Sequence, residues 1–152
     1  MVTGVGRIVV GVDGSAGSLA ALRWAAAEAR VRKATLEVVV AWQYPALSTI
    51  PAFGVLPPAD EMATDAKQGL ADLLRDEGLL DDPGLEITEA VIQGTAGSAL
   101  IGAATGADLL VVGSRGHGGF TGLLLGSVSQ QCVTHAPCPV VVIPHPDRAA
   151  GG

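Results

Sequence analysis

Four residues carry the clearest chemical signal in the chain: Gly113, Gly116, Gly126 and Ser127. They are spaced as glycine, two residues, glycine, nine residues, glycine, serine. An apolar run, Asp108-Leu-Leu-Val-Val-Gly113, leads directly into them, and a helix-forming run, 128–135, follows. A strand, a glycine-rich loop and a serine opening a helix together make an anion site. The first N–H groups of a helix have no intrahelical partner, and the helix end is positive. Glycine matters because a Cβ would hold a phosphate away from the main chain. The N–H groups of Ser127 and Val128 are the natural donors, and Arg115 is the nearest mobile cation. His117 adds little at pH 7, where an unperturbed imidazole of pKa about 6.5 is mostly neutral. Ser127 has a second reading as the N-cap of the helix, worth roughly 1 kcal/mol, and the two roles are compatible.

Asp13 follows the first apolar run, Ile8-Val-Val-Gly-Val12. A carboxylate at a strand end could order the turn with Ser15. It could also accept hydrogen bonds from a ribose or an adenine amine, or support a metal beside the phosphates. Val40 and Ala41 end the adjacent strand, where main-chain groups can pair with an adenine edge. The loop is not a Walker A motif, because the only lysines are Lys33 and Lys67. It is not the dinucleotide fingerprint either, since Gly4 and Gly6 precede the first strand instead of following it. Spacing supports no Ser/His/Asp or Cys/His arrangement. No catalytic residue is assigned. His135 reads as a helix C-terminal residue favoured by the dipole.

The elements that must position these residues alternate. Strands are predicted at 8–12, 34–42, 85–92, 109–112 and 139–143. Helices are predicted at 15–31 with Ser15 as N-cap, at 60–77 with Asp60 as cap, at 95–105 ended by Gly106, and at 128–135. Leu19, Leu22 and Ala26 form one helical stripe; Met62, Ala66, Leu70, Leu73 and Leu74 form another. Residues 44–58 hold four prolines and follow neither period, so they read as a loop or lid. The tail, 147–152, reads as frayed. Trp24 and Trp42 read as packing residues.

Alternation of this kind implies an α/β fold: one open five-stranded parallel sheet with helices on both faces. Residue patterns alone do not fix strand order. The order 3-2-1-4-5, common to this fold type, would bring the turn at residues 13–15 against the loop that starts at Gly113. Ligands in such sheets bind beyond the strands' carboxyl ends, where strand order reverses.

Composition narrows the function. The 152 residues fit a single domain, 49% hydrophobic and 16% charged. With 3% aromatic residues, the core must be built from Val, Leu, Ile and Ala. A net charge of −6 argues against nucleic acid and anionic lipid surfaces as partners. No apolar run reaches membrane-spanning length, and the first seven residues lack the order of a signal peptide. Cys132 and Cys138 match no CxxC or zinc spacing and read as reduced, partly buried thiols of a cytoplasmic protein.

The Gly113, Gly116, Gly126, Ser127 motif resembles the nucleotide motif of the universal stress protein family. The opening Ile8-Val-Val-Gly-Val-Asp-Gly-Ser15 and the close Ser129-Gln-Gln-Cys-Val-Thr-His-Ala-Pro-Cys-Pro-Val-Val-Val-Ile143 are also similar to it. The likeness runs from about residue 7 to 144. It implies a fold like that of the adenine-nucleotide alpha-hydrolases and bound ATP, with Mg or Mn, in a protein of weak or absent hydrolysis. By the resemblance, Gly11, Val12 and Asp13 line the nucleoside, and Val40 or Ala41 meets adenine. Gly113, Arg115, Gly116, Gly118, Gly126, Ser127 and Val128 surround the phosphates. It also implies a homodimer paired through the last strands, at Val140, Val141, Val142 and Ile143. An ATP-hydrolysing or adenylyl-transferring enzyme, a cyclic AMP or AMP module, and an interaction module with a vestigial motif stay open as alternatives.

Overall fold

Nine elements alternate along the chain of this computed structural model, which describes residues 6–44, 52, 54–115 and 125–146. They are β1 (Arg7–Gly11), α1 (Ala16–Arg32), β2 (Thr35–Trp42), α2 (Ala59–Asp76), β3 (Glu86–Gln93), α3 (Ala96–Ala103), β4 (Leu109–Gly113), α4 (Ser127–His135) and β5 (Val140–Ile143). The strands form one parallel sheet in the order β3-β2-β1-β4-β5. Val10 lies between Val38 of β2 and Val111 of β4, so β1 is central and buried on both faces. β3 and β5 are the edges, and the mixed polarity of β3 suits that place.

Side-chain alternation along the strands divides the interior into two layers. Ile8, Val10, Val12, Leu36, Val38, Leu109 and Val111 face α1 and α2, packing on Leu22, Ala25, Ala29, Leu70 and Leu74. Val9, Val39, Leu110 and Val112 face α3 and α4, packing on Leu100, Ala104 and Cys132. Each fully buried Leu, Val or Ile stabilises by about 1.5–3 kcal/mol. With so few aromatic residues, close approach replaces side-chain bulk. α1 presents Ala21, Ala25, Ala26 and Ala29, each no more than 1% exposed, to the sheet.

The turns explain where the helices start. Gly14 takes a positive φ of 83°, and Ser15 then caps α1 by accepting from the Ser18 N–H at 3.2 Å. α1 closes on Lys33, a non-glycine residue in the left-handed region at φ 56°. Its N–H there reaches the carbonyls of Ala29 and Arg30. Thr95 caps α3 through the Ser98 N–H at 3.3 Å. Arg7 fastens the opposite end of that helix, donating to the carbonyls of Ala103 (2.9 Å) and Thr105 (2.7 Å) and to Glu37 (2.9 Å).

Three expectations need correcting. Asp60 does not cap α2. Pro58 holds that place without a side-chain bond, the helix opens at Ala59, and Asp60 lies in its first turn. A carboxylate there still complements the helix dipole. α3 stops at Ala103, short of Gly106, and the chain leaves it through tighter turns in which the Thr105 N–H donates to the Gly102 carbonyl and the Ala107 N–H to the Ala104 carbonyl. Trp24 is not a packing residue: it lies on the outer face of α1, 36% exposed. Trp42, by contrast, is half-buried and meets Tyr44 edge-on at a 5.8 Å centroid separation. Most of the expected 44–58 loop lies outside the described residues, as does the 147–152 tail.

Candidate functional site

The order β3-β2-β1-β4-β5 reverses direction between β1 and β4, and the expected site residues sit at the carboxyl ends there. β1 delivers Gly11, Val12 and Asp13; β2 delivers Val40 and Ala41; β4 delivers Gly113 and Arg115. Gly126, Ser127 and Val128 open α4, which follows β4. Gly116 and Gly118 lie outside the described residues, as does His117.

The β1 and β4 turns meet through two glycines. A Cβ on Gly17, in the first turn of α1, would stand 2.6 Å from the Arg115 carbonyl oxygen. A Cβ on Gly113 would stand 2.9 Å from the Gly17 carbonyl oxygen. Main chain therefore touches main chain where α1 begins and β4 ends. His145, just beyond β5, approaches the same point; its ring carbon would lie 3.5 Å from that Gly17 Cβ.

Asp13 is engaged in its own turn. Its Oδ1 accepts from the Ser15 N–H at 2.9 Å and from the Ser15 hydroxyl at 2.5 Å. Its N–H donates to Ser18 Oγ at 3.2 Å. The turn-ordering role expected of Asp13 is thus present. Val12 is 6% exposed with its side chain in the α1 layer, and its N–H donates to the Val39 carbonyl at 3.0 Å. Gly11 lacks a Cβ for a packing reason as well, since Leu100 of α3 would be 2.7 Å away. Val40 packs against the core under α1 and α2.

The start of α4 differs from the capping expected of Ser127. Gly126 is the cap residue, no side chain closes the helix, and Ser127 is the exposed first residue of the helix. The serine that turns inward is Ser129. It is 2% exposed, and its hydroxyl is shared between the carbonyls of Ser114 (2.9 Å) and Gly126 (3.0 Å). The Gly126 N–H donates to the Ser114 carbonyl at 2.6 Å. These bonds pin the start of α4 to the end of β4, and among the described residues no side chain caps the first-turn N–H groups of α4. Such an end suits an anion, because the donors and the dipole face the same way.

Sequence reasoning missed Gly17, Ser114, Ser129 and His145. Gly17 carried a signal, being a poor helix former two places inside a helix. The other three depend on contacts between segments far apart in the chain.

Other chemistry is sparse. Among the described residues, no group of three or more His, Cys, Asp or Glu side chains could hold a metal ion. Among them too, no helix is long and apolar enough to cross a membrane. Both cysteines are free thiols. Burial pushes Cys132 up to about 11, and burial also raises Cys138.

Comparison with known proteins agrees with this architecture. The model of the universal stress protein family matches residues 4–144. A universal stress protein of Mycolicibacterium smegmatis is 36% identical over 151 residues, covering 94% of this chain and 49% of its own length. The chain thus spans about half the length of this and other mycobacterial relatives it matches. The universal stress protein UspA of Lactobacillus plantarum superimposes with a TM-score of 0.73 at 23% identity, covering 91% of this chain and 97% of its own. A universal stress protein solved in complex with cAMP superimposes with a TM-score of 0.60 at 27% identity, covering 94% and 99%. With the glycine motif, the strand order and these likenesses in agreement, the chain belongs to the universal stress protein family.

Proposed function

We propose that this chain is an ATP-binding regulatory protein of the stress response, with weak or no ATP hydrolysis. The observation that carries the reading is the start of α4: a helix whose first turn has no side-chain cap among the described residues, pinned beside the β4 end by Ser129 and preceded by the glycine motif. The residues fit a triphosphate. N–H donors of Ser127 and Val128 meet the phosphates, Arg115 supplies charge, and Gly113, Gly116, Gly118 and Gly126 keep side chains away. Asp13 and the main chain of Gly11 and Val12 face the nucleoside, with Val40 or Ala41 beside adenine. A Mg or Mn ion would be held chiefly by the phosphates, with Asp13 supporting it indirectly.

The absence of an assigned base favours regulation over turnover, since fast phosphoryl transfer needs a positioned base or water and a metal clamp. The protein would work as a reporter of nucleotide level, ATP shifting the population of surface states. The half-buried β5 edge, Val140 to Ile143, supports pairing of two copies, because an apolar edge strand left open invites association. Light scattering in solution tests that part. The cAMP complex of a relative favours a second reading, in which AMP or cyclic AMP is the physiological ligand.

Isothermal titration with ATP, ADP, AMP and cyclic AMP separates these readings, with ATP expected to bind tightest. Heat from none of them overturns nucleotide binding. Several phosphates released per second in the presence of Mg would make the protein an enzyme instead.

A further inference from the structure

α2 is anchored through one of its two halves. Leu70 and Leu74 are its buried residues, and Leu73 packs on the same core. Just past the helix, Glu77 is tied to α1 by Arg23 at 2.6 Å. Among the described residues, nothing from 59 to 69 belongs to either core layer. The apolar stripe nevertheless continues there, since Ala66 and Met62 fall one and two turns before Leu70 on the same face. Both are half-buried, whereas Asp60, Glu61, Asp65 and Lys67 are exposed.

The boundary between the halves carries a glycine. Gly69 stands directly before Leu70, inside the helix. Its φ is ordinary, and a Cβ added to it would meet nothing within 4 Å. Neither close packing nor a left-handed backbone calls for glycine here, yet glycine weakens a helix interior. A weak link thus stands where burial stops. Segments with few buried apolar contacts open locally, without global unfolding.

The weakly held half lies at the site end of the fold. β2 ends at the carboxyl edge of the sheet with Trp42, and α2 starts from that edge and runs back towards the start of β3. β2 and β3 also overrun β1 there. β1 pairs with β2 as far as Gly11 and Val39, whereas β2 pairs with β3 out to Trp42 and Gln93. Val40 and Ala41 belong to this overhang.

We propose that residues 59–69 of α2 form a gate for the nucleotide site, hinged at Gly69. The gate opens by local unfolding to admit and release nucleotide, and it closes by re-forming helix beside the β2 end. It sets how fast the site fills and empties, and leaves affinity to the groups that touch the ligand. The gate rests on the nucleotide reading above.

Two measurements test it. In the unliganded protein, hydrogen exchange should be at least about tenfold faster at the amides of 63–69 than at those of 71–76. Stopped-flow binding of a fluorescent ATP analogue is then compared for wild type, Gly69→Ala and Gly102→Ala. Alanine at 69 should make opening up to about fivefold rarer, so association and dissociation slow together by that factor at unchanged affinity. Gly102→Ala adds the same methyl group to α3, where it also meets nothing within 4 Å, and should leave both rates as in wild type. Equal exchange in the two halves of α2 overturns the gate. Unchanged rates for Gly69→Ala, or equal slowing in both variants, overturn it as well and leave the nucleotide site standing. Failure of the wild type to bind the analogue removes the nucleotide reading itself, and the gate with it.

Discussion

Replacing Gly17 by alanine tests how the site is assembled. Gly17 has an ordinary φ, so the obstacle to a side chain is space alone. The added Cβ would lie 2.6 Å from the Arg115 carbonyl oxygen, against a closest comfortable carbon–oxygen approach of about 3.3 Å. Main chain must therefore yield by roughly 0.7 Å on one side or the other. Alanine improves helix propensity by up to about 1 kcal/mol. Overpacking of main chain against main chain costs about 1–3 kcal/mol, so the clash wins. A net loss of up to about 2 kcal/mol lowers Tm by up to roughly 8 °C in a chain of this size. Gly69→Ala and Gly102→Ala are the controls. Both glycines are helical, and a Cβ on either meets nothing within 4 Å. They should raise stability by about 0.5–1 kcal/mol. Urea unfolding of the three variants reads the difference, and titration with ATP should show weakened binding for Gly17→Ala alone. A Gly17→Ala protein as stable as the controls would show that the β1 and β4 turns do not meet as described.

Three further outcomes follow from the same geometry. Ser127→Ala should leave stability within about 0.5 kcal/mol of wild type, because Ser127 does not cap α4, whereas Ser15→Ala should cost about 1 kcal/mol; equal losses in urea midpoints would contradict this. At pH 8, Ellman's reagent should label Cys138 in the native protein and Cys132 after denaturation alone. Cys132 is 0% exposed, and a thiol at about 11 is on the order of one part in a thousand ionised at that pH; rapid native labelling of both would overturn it. The Arg23 hydrogen bond holds the Glu77 carboxyl below its usual range, with burial opposing. That contribution is present above the unfolded pKa of about 4.3 and is lost as pH falls through the folded value. Arg23→Ala should thus be less stable than wild type by up to about 1 kcal/mol at pH 7, with the gap closing below pH 4; a gap unchanged at pH 2 would refute the pairing.

Much of the fold was legible because local patterns agree with it. Short β-branched runs alternate with alanine-rich or amphipathic stretches, and Ser15 and Thr95 mark helix starts by chemistry that acts within four residues. The Gly113 to Ser127 motif was legible for the same reason: its glycines and serine keep their spacing within one short stretch of chain. What escaped detection is non-local. Whether Ser127 or Gly126 caps α4 depends on Ser129 reaching the Ser114 carbonyl across fifteen residues. The Ala103 carbonyl at the end of α3 is held by Arg7 of β1, ninety-six residues away in sequence. Trp24 is the local exception: it lies off the stripe of Ser18, Ala21, Leu22, Ala25, Ala26 and Ala29 that α1 buries, so helical period places it outside once that stripe is read in full.

Amide resonances of the ¹⁵N-labelled protein, followed through parallel titrations with ATP and adenosine, test the phosphate grip most directly. Large shifts of the Ser127 and Val128 N–H signals with ATP, and small ones with adenosine, are expected. Saturation by ATP that leaves both signals in place would contradict a phosphate held at the start of α4.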